Sequence, residues 1–224
     1  MKIEAQVGPQ VLSDGAVDSL RAGKTGEGIV QQLHGRFYEQ AYRNGLFSIG
    51  CTPTALSAAT ILLTSSAQPI VGVWNPFNSG VNLVILQAAL VDFINNVTSV
   101  SLGGFVWASS ASNTGILTAG LNPFNRKNLT NTGSQAKAFA LSTASLLTGL
   151  TNNVVVFEPA EFNTASGLLT TTVVAATPTP SVSGVQQFDG SLIVPPGGVL
   201  ALLNTVSVTT HTVSARLLWE EVVV

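Results

Sequence analysis

Two carboxylate pairs are the side chains best suited to acid–base work in this sequence: Glu158 and Glu161 around Pro159, and Glu220 beside Glu221. Glycoside hydrolysis needs two acids flanking the bond, one to protonate the leaving oxygen and one to attack or to activate water. Neighbours on a strand point to opposite faces, so Glu220 and Glu221 cannot act on one substrate together. Both pairs are expected to be solvated or interfacial acids.

Other chemistry is thinly supplied. His34 and His211 are the only imidazoles, and neither has a ligand or nucleophile at a recognised spacing. Zinc sites need about four ligands, or three and a water. Gly23-Lys24-Thr25 resembles the end of the phosphate-binding pattern GxxxxGK(S/T), but Asp18 stands where the first glycine should be, and its carboxylate repels phosphate. No GxSxG elbow activates a serine. Cys51 is the sole cysteine, which excludes an intrachain disulfide and predicts a small buried hydrophobe. Trp74, Trp107 and Trp219 could stack on sugars, yet each ends or interrupts an apolar run and reads better as a core or subunit-interface anchor. No catalytic, cofactor-binding or metal-binding residue and no small-molecule substrate is expected.

The scaffold for these residues is unusual in its surface. Only 9% of the 224 residues are charged, against about 25% in ordinary soluble proteins, whereas 46% are hydrophobic. Half of the charges lie between Lys2 and Arg43, and none occurs from Asn44 to Val91. A folded monomer of this mass exposes roughly 9,600 Å², which the body must cover with Ser, Thr, Asn and Gln or share with other proteins. A net charge of −2 leaves no footprint for nucleic acid or an anionic membrane. The apolar runs are too short for a membrane span, and residues 1–15 lack the apolar stretch of a secretory signal, so synthesis in a reducing cytoplasm is expected.

Residues 1 to 28 are broken by Gly8-Pro9, Asp14-Gly15 and Gly23 to Gly28 and read as an arm. Apolar positions Ile29, Leu33, Phe37 and Ala41 predict one short helix over Ile29 to Tyr42, weakened at Gly35 and ended by Asn44-Gly45. Beyond Gly45, β-branched and apolar runs are punctuated roughly every eight to twelve positions by turn residues, as in a sandwich or barrel. Strands are predicted at 60–64, 70–75, 83–93, 99–108, 136–140, 153–157, 168–175, 186–188, 191–194, 199–203 and 206–221.

Asp189-Gly190 predicts a hairpin turn, and Pro195-Pro196-Gly197-Gly198 a hard corner. Along the last strand His211, Val213, Ala215, Leu217 and Trp219 form the inward face, opposite Thr210, Thr212, Ser214, Arg216, Leu218 and Glu220. Trp74-Asn75-Pro76-Phe77-Asn78 is echoed by Leu121-Asn122-Pro123-Phe124-Asn125 and predicts two strand-ending turns with a hydrophobic plug. The expected architecture is all-β: a jelly-roll β-sandwich over 46–224, preceded over 1–45 by an extended N-terminal arm and one short helix.

Gly23-Lys24-Thr25-Gly26-Glu27, His34-Gly35-Arg36-Phe37-Tyr38-Glu39, Asn75-Pro76-Phe77-Asn78-Ser79-Gly80 with Asn82-Leu83-Val84-Ile85-Leu86, and the ending Trp219-Glu220-Glu221-Val222 span most of the chain. Together they resemble a family of tailed-bacteriophage virion proteins, the capsid decoration or cement proteins. The resemblance implies a jelly-roll homotrimer on the capsid exterior that bridges major capsid protein subunits, with the arm on the shell and no catalytic residue. Lys2, Arg21, Lys24, Arg36 and Arg43 are the expected polar contacts to the shell, with Phe37, Tyr38, Trp74, Phe77, Phe124 and Trp219 as further interface residues. The alternative is a trimeric receptor- or carbohydrate-binding module of a tail or head fibre, acting through loops such as Ser109 to Gly120.

Overall fold

In the computed structural model the chain forms two compact units, Met1–Tyr38 and Glu39–Val224. The structure describes residues 5–6, 20–21, 35–56, 69–94, 105–110, 121–141, 155–162, 179–204 and 208–224. In the first unit β1 (Ala5–Gln6) and β2 (Leu20–Arg21) pair in parallel, which sets Arg21 opposite Gln6.

Helix α1 (Tyr38–Tyr42) is shorter than the apolar spacing predicts, because Gly35 to Phe37 form a turn instead; residues 29–34 lie outside the described residues. Its end is as expected. Asn44 adopts φ 61°, and the N–H groups of Gly45 and Asn44 reach back to the carbonyls of Gln40 at 3.0 Å and Ala41 at 3.1 Å. Asparagine tolerates the left-handed conformation that this paired closure of the last turn requires.

The second unit is an all-β sandwich. Its strands are β3 (Leu46–Leu56), β4 (Val71–Trp74), β5 (Val81–Ile94), β6 (Phe105–Ser110), β7 (Phe124–Asn125), β8 (Lys137–Ala140), β9 (Val155–Pro159), β10 (Thr179–Val194), β11 (Val199–Asn204) and β12 (Val208–Val223). They form two antiparallel five-stranded sheets, ordered β10-β5-β12-β3-β7 and β8-β4-β11-β6-β9. The chain order is interleaved: β12 lies between β3 and β5, and β11 between β4 and β6.

One core fills the space between the sheets. Phe47 and Ile49 of β3, Leu83 and Ile85 of β5, and Leu217 and Trp219 of β12 meet Val71 and Val73 of β4, Trp107 of β6, and Leu200 and Leu202 of β11. The alternation predicted for β12 holds at Val213, Ala215, Leu217 and Trp219, while Leu218 on the opposite face is also buried. Cys51 is buried, as expected of a small hydrophobe. Strand β11 is buried along its whole length, because Val199, Ala201 and Leu203 pack with Phe139 and Ala108 on the outer side of their sheet.

Two expectations are corrected. Asp189-Gly190 does not reverse the chain: β10 runs through it, and the pairing with β5 jumps from Gln187↔Gln87 to Leu192↔Ile85. The positive φ values of a tight turn are present, 53° and 84°, but they produce a bulge that turns Phe188 into the core. Strand β3 was not anticipated, because Gly50 and Pro53 interrupt its pattern. Proline lacks an N–H for the ladder, and the structure accommodates it where pairing shifts between Thr54↔Val213 and Cys51↔Ala215. The strands expected at 60–64 and 168–175 lie outside the described residues.

Candidate functional site

The residues expected to meet a partner are divided between the two units. Lys2 and Lys24 lie outside the described residues. In the first unit the Arg36 guanidinium stacks over the Phe37 ring, 5.2 Å from its centroid, and Tyr38 is exposed. In the second unit Arg43 pairs with Glu39 one helical turn away, Nε to Oε2 3.5 Å, with both side chains in solvent. Trp74 is half-buried against the outer cluster around Phe139. Trp219 is a correction: like Trp107 it is fully buried between the sheets, so it belongs to the core and not to an exposed surface. The three tryptophans therefore offer no common sugar-stacking face.

The two copies of the Asn-Pro-Phe-Asn motif differ. The first ends β4 and makes a turn, closed by Ser79 N–H to Pro76 O at 3.0 Å. The second corrects the expectation: it runs from a bridge at Leu121 straight into β7, with its turn only beyond Asn125. In the first, Asn75 is fully buried, and its amide donates to the Val81 carbonyl at 2.8 Å and the Val194 carbonyl at 2.9 Å. Its backbone meets Gly198 O at 2.9 Å and Gly197 N at 2.7 Å, so one residue ties together the ends of β4, β5, β10 and β11. In the second, Asn122 is exposed and the buried asparagine is Asn125, whose Oδ1 accepts the Lys127 N–H at 2.9 Å. The plugs are not plugs: Phe77 and Phe124 are 42% and 49% exposed. Only the turn of the first copy was readable.

The acids are held in separate settings. Glu158 on β9 is half-buried, and burial first, then the carboxylate of Glu161, pushes its carboxyl above the ordinary range. Burial also raises Glu220, with Arg43 acting in opposition. Glu221 is structural: its carboxylate accepts from Ser134 Oγ and from the N–H groups of Gln135 at 3.0 Å and Ala136 at 3.4 Å, which anchors the approach to β8. Among the described residues no three His, Cys, Asp or Glu side chains gather as a metal site would need.

Two surface hollows stand out. One, of about 290 Å³, is apolar and is lined by Phe157 of β9, Ile193 and Val194 of β10, Pro195 and Val199. The other, of about 580 Å³, opens on the outer face of β3 and β12, where Ser48, Ser214, Phe124 and Leu129 surround Arg126 and Arg216. Neither is lined by an acid.

No protein-family model, curated protein or solved structure matches this chain. Its surfaces therefore carry the functional argument.

The second hollow is rigidly framed. Asn125 N–H bonds to Thr130 O at 2.7 Å, Leu129 N–H to Asn125 O at 3.0 Å, and Arg126 N–H to Leu46 O at 2.9 Å. Lys127 rests over the Tyr42 ring at 4.6 Å. This frame holds Leu129 in a left-handed conformation, φ 57°, with 69% of its surface in solvent. Beneath it, Arg216 donates through Nη2 to Gln87 Oε1, while its buried Nε finds no acceptor among the described residues. Burial, then the nearby positive charge of Arg126, makes the Arg216 guanidinium easier to deprotonate than usual. Neither arginine was singled out from the sequence. Arg216 was placed on the correct outward face, but nothing in the spacing links it to Arg126, ninety positions earlier.

Proposed function

We propose that this chain is a non-enzymatic structural virion protein: a jelly-roll homotrimer that decorates the exterior of a phage capsid and bridges major capsid protein subunits. The observation that carries this reading is the interleaved strand order. Four strands of each sheet, β10-β5-β12-β3 and β9-β6-β11-β4, follow the pattern of a chain folded double and then rolled, with β7 and β8 added at one side. Jelly rolls are frequent in capsid proteins, and the motifs quoted above resemble decoration proteins; fold alone does not fix function. The charge-poor body adds support, since apolar side chains at the surface, such as Phe77, Phe124, Val155 and Ile193, suit a molecule covered by neighbours.

The test is to incubate the purified chain with capsids lacking it and to image them by electron cryomicroscopy. Trimeric density on the outer shell is the expected result. Removal of residues 1–45 should leave the sandwich folded and trimeric but abolish attachment. Capsids that remain bare with the full chain, or full occupancy by the truncated chain, would overturn the reading of the whole protein or of its arm respectively.

A further inference from the structure

The two sides of the sandwich carry opposite charge beside exposed apolar surface. Among the described residues strand β9 is the edge of its sheet, and it shows Val155, Val156 and Phe157 at 62%, 38% and 41% exposure, followed by Glu158 and the exposed Glu161. A bare apolar edge strand is a pairing hazard that folded proteins cover or blunt. On the other sheet, the hollow beside edge strand β7 sets Phe124 and Leu129, 49% and 69% exposed, around Arg126 and Arg216.

The two surfaces lie at opposite sides of the unit. Trp107 of β6 and the N–H of Glu161 both bond to Gln186 of β10, so β9 and β10 share a side. Strand β3, next to β7, faces β4 and β8 at the other side. Each surface also has an unmet electrostatic need. The two carboxylates oppose one another at β9, the two guanidinium groups oppose one another in the hollow, and among the described residues neither Arg126 nor Arg216 forms an ion pair.

We propose that these surfaces are partners between copies: the β9 edge of one copy, with Glu158 and Glu161, docks in the Arg126–Arg216 hollow of the next. The occupant is a second copy of this chain because both halves of the match, acid with base and apolar with apolar, are on one molecule. A contact between unlike patches on opposite sides is heterologous, so it propagates head to tail and ends only when the rotation closes a ring. This inference rests on the homotrimer proposed above and names the surfaces that close it.

Sedimentation velocity of the full chain at micromolar concentration, with Arg126→Glu, Glu161→Arg and the double variant, tests it. Both positions are exposed, so the variants should keep the wild-type circular dichroism spectrum. The wild type is expected to sediment as a closed oligomer, each single variant to associate at least about tenfold more weakly, and the double variant to recover, because every interface then carries the swapped pair. If a charge reversal fails to fold, Arg126→Gln and Glu161→Gln give the same comparison, each weakening association alone. An oligomer indifferent to the substitutions, or single-variant losses that the double does not restore, would overturn this contact while leaving the trimer standing. A wild-type chain that stays monomeric would remove both, and would leave an acidic segment of a different protein as the ligand of the hollow.

Discussion

The indole N–H of Trp107 donates to Gln186 Oε1 at 2.8 Å, and the same oxygen accepts the backbone N–H of Glu161 at 3.1 Å. One amide oxygen thus joins β6 of one sheet, β10 of the other and the segment leaving β9. Trp107 is fully buried and meets Phe188 edge to face, ring centroids 5.4 Å apart.

Gln186→Leu should therefore cost about 1–3 kcal/mol in urea unfolding, the price of leaving a buried donor unmatched. Trp107→Phe should cost less in that background than in the wild type, because the indole N–H has already lost its acceptor. Additive losses would show that the bond carries no coupling.

Asn75 should be less replaceable than any exposed asparagine. Asn75→Ala strands the carbonyls of Val81 and Val194, for about 1–3 kcal/mol. Asn75→Asp should be worse at neutral pH, because a carboxylate would face two carbonyl oxygens. Thermal unfolding of the two variants gives the order directly, and equal melting temperatures would refute it.

Gly72 is closed by its neighbours rather than by its backbone angles. A Cβ there would stand 2.1 Å from the Phe139 ring and 2.4 Å from the Leu200 carbonyl oxygen. Gly72→Ala should destabilise by about 1–3 kcal/mol or more, as overpacking does. Adding Phe139→Ala should not rescue it, since the backbone oxygen still blocks the site; recovery in the double variant would show that the ring alone was the obstacle.

Glu158 gives a pH signature. Burial, then Glu161, raises its folded-state pKa, so the folded chain holds the proton more tightly than the unfolded one. Ionised Glu158 thus opposes folding above that pKa, and the opposition fades as pH falls through it. In the dissociated chain, at concentrations below the association of copies, Glu158→Gln should melt slightly higher than the wild type at neutral pH, with the gap closing toward about pH 4. A gap of constant size from neutral to acid would rule out this origin.

The elements most legible in the sequence were those with unbroken period. Val213, Ala215, Leu217 and Trp219 gave the inward face of β12 by alternation alone, and Asn44-Gly45 gave the helix end through its tolerance of positive φ. The same local rule misled at Asp189-Gly190: its backbone angles are those of a turn, but pairing with β5 on both sides keeps the strand running. Strand β3 was hidden because Pro53 is excusable only by a bulge that depends on β12, more than a hundred and fifty positions away. The Arg126–Arg216 hollow was invisible for a related reason. Its parts come from the turn after β7 and from β12, and their approach is a product of topology rather than of spacing.

The placement of β12 between β3 and β5 also has a temporal meaning. During translation, β3 and β5 leave the ribosome long before the strand that separates them, and until residues 208–223 exist each lacks the neighbour that covers its backbone on that side. The nascent chain must therefore hold apolar β surface open, within reach of chaperones, and commit to its final sheet late, as pairings between distant segments are slow to form.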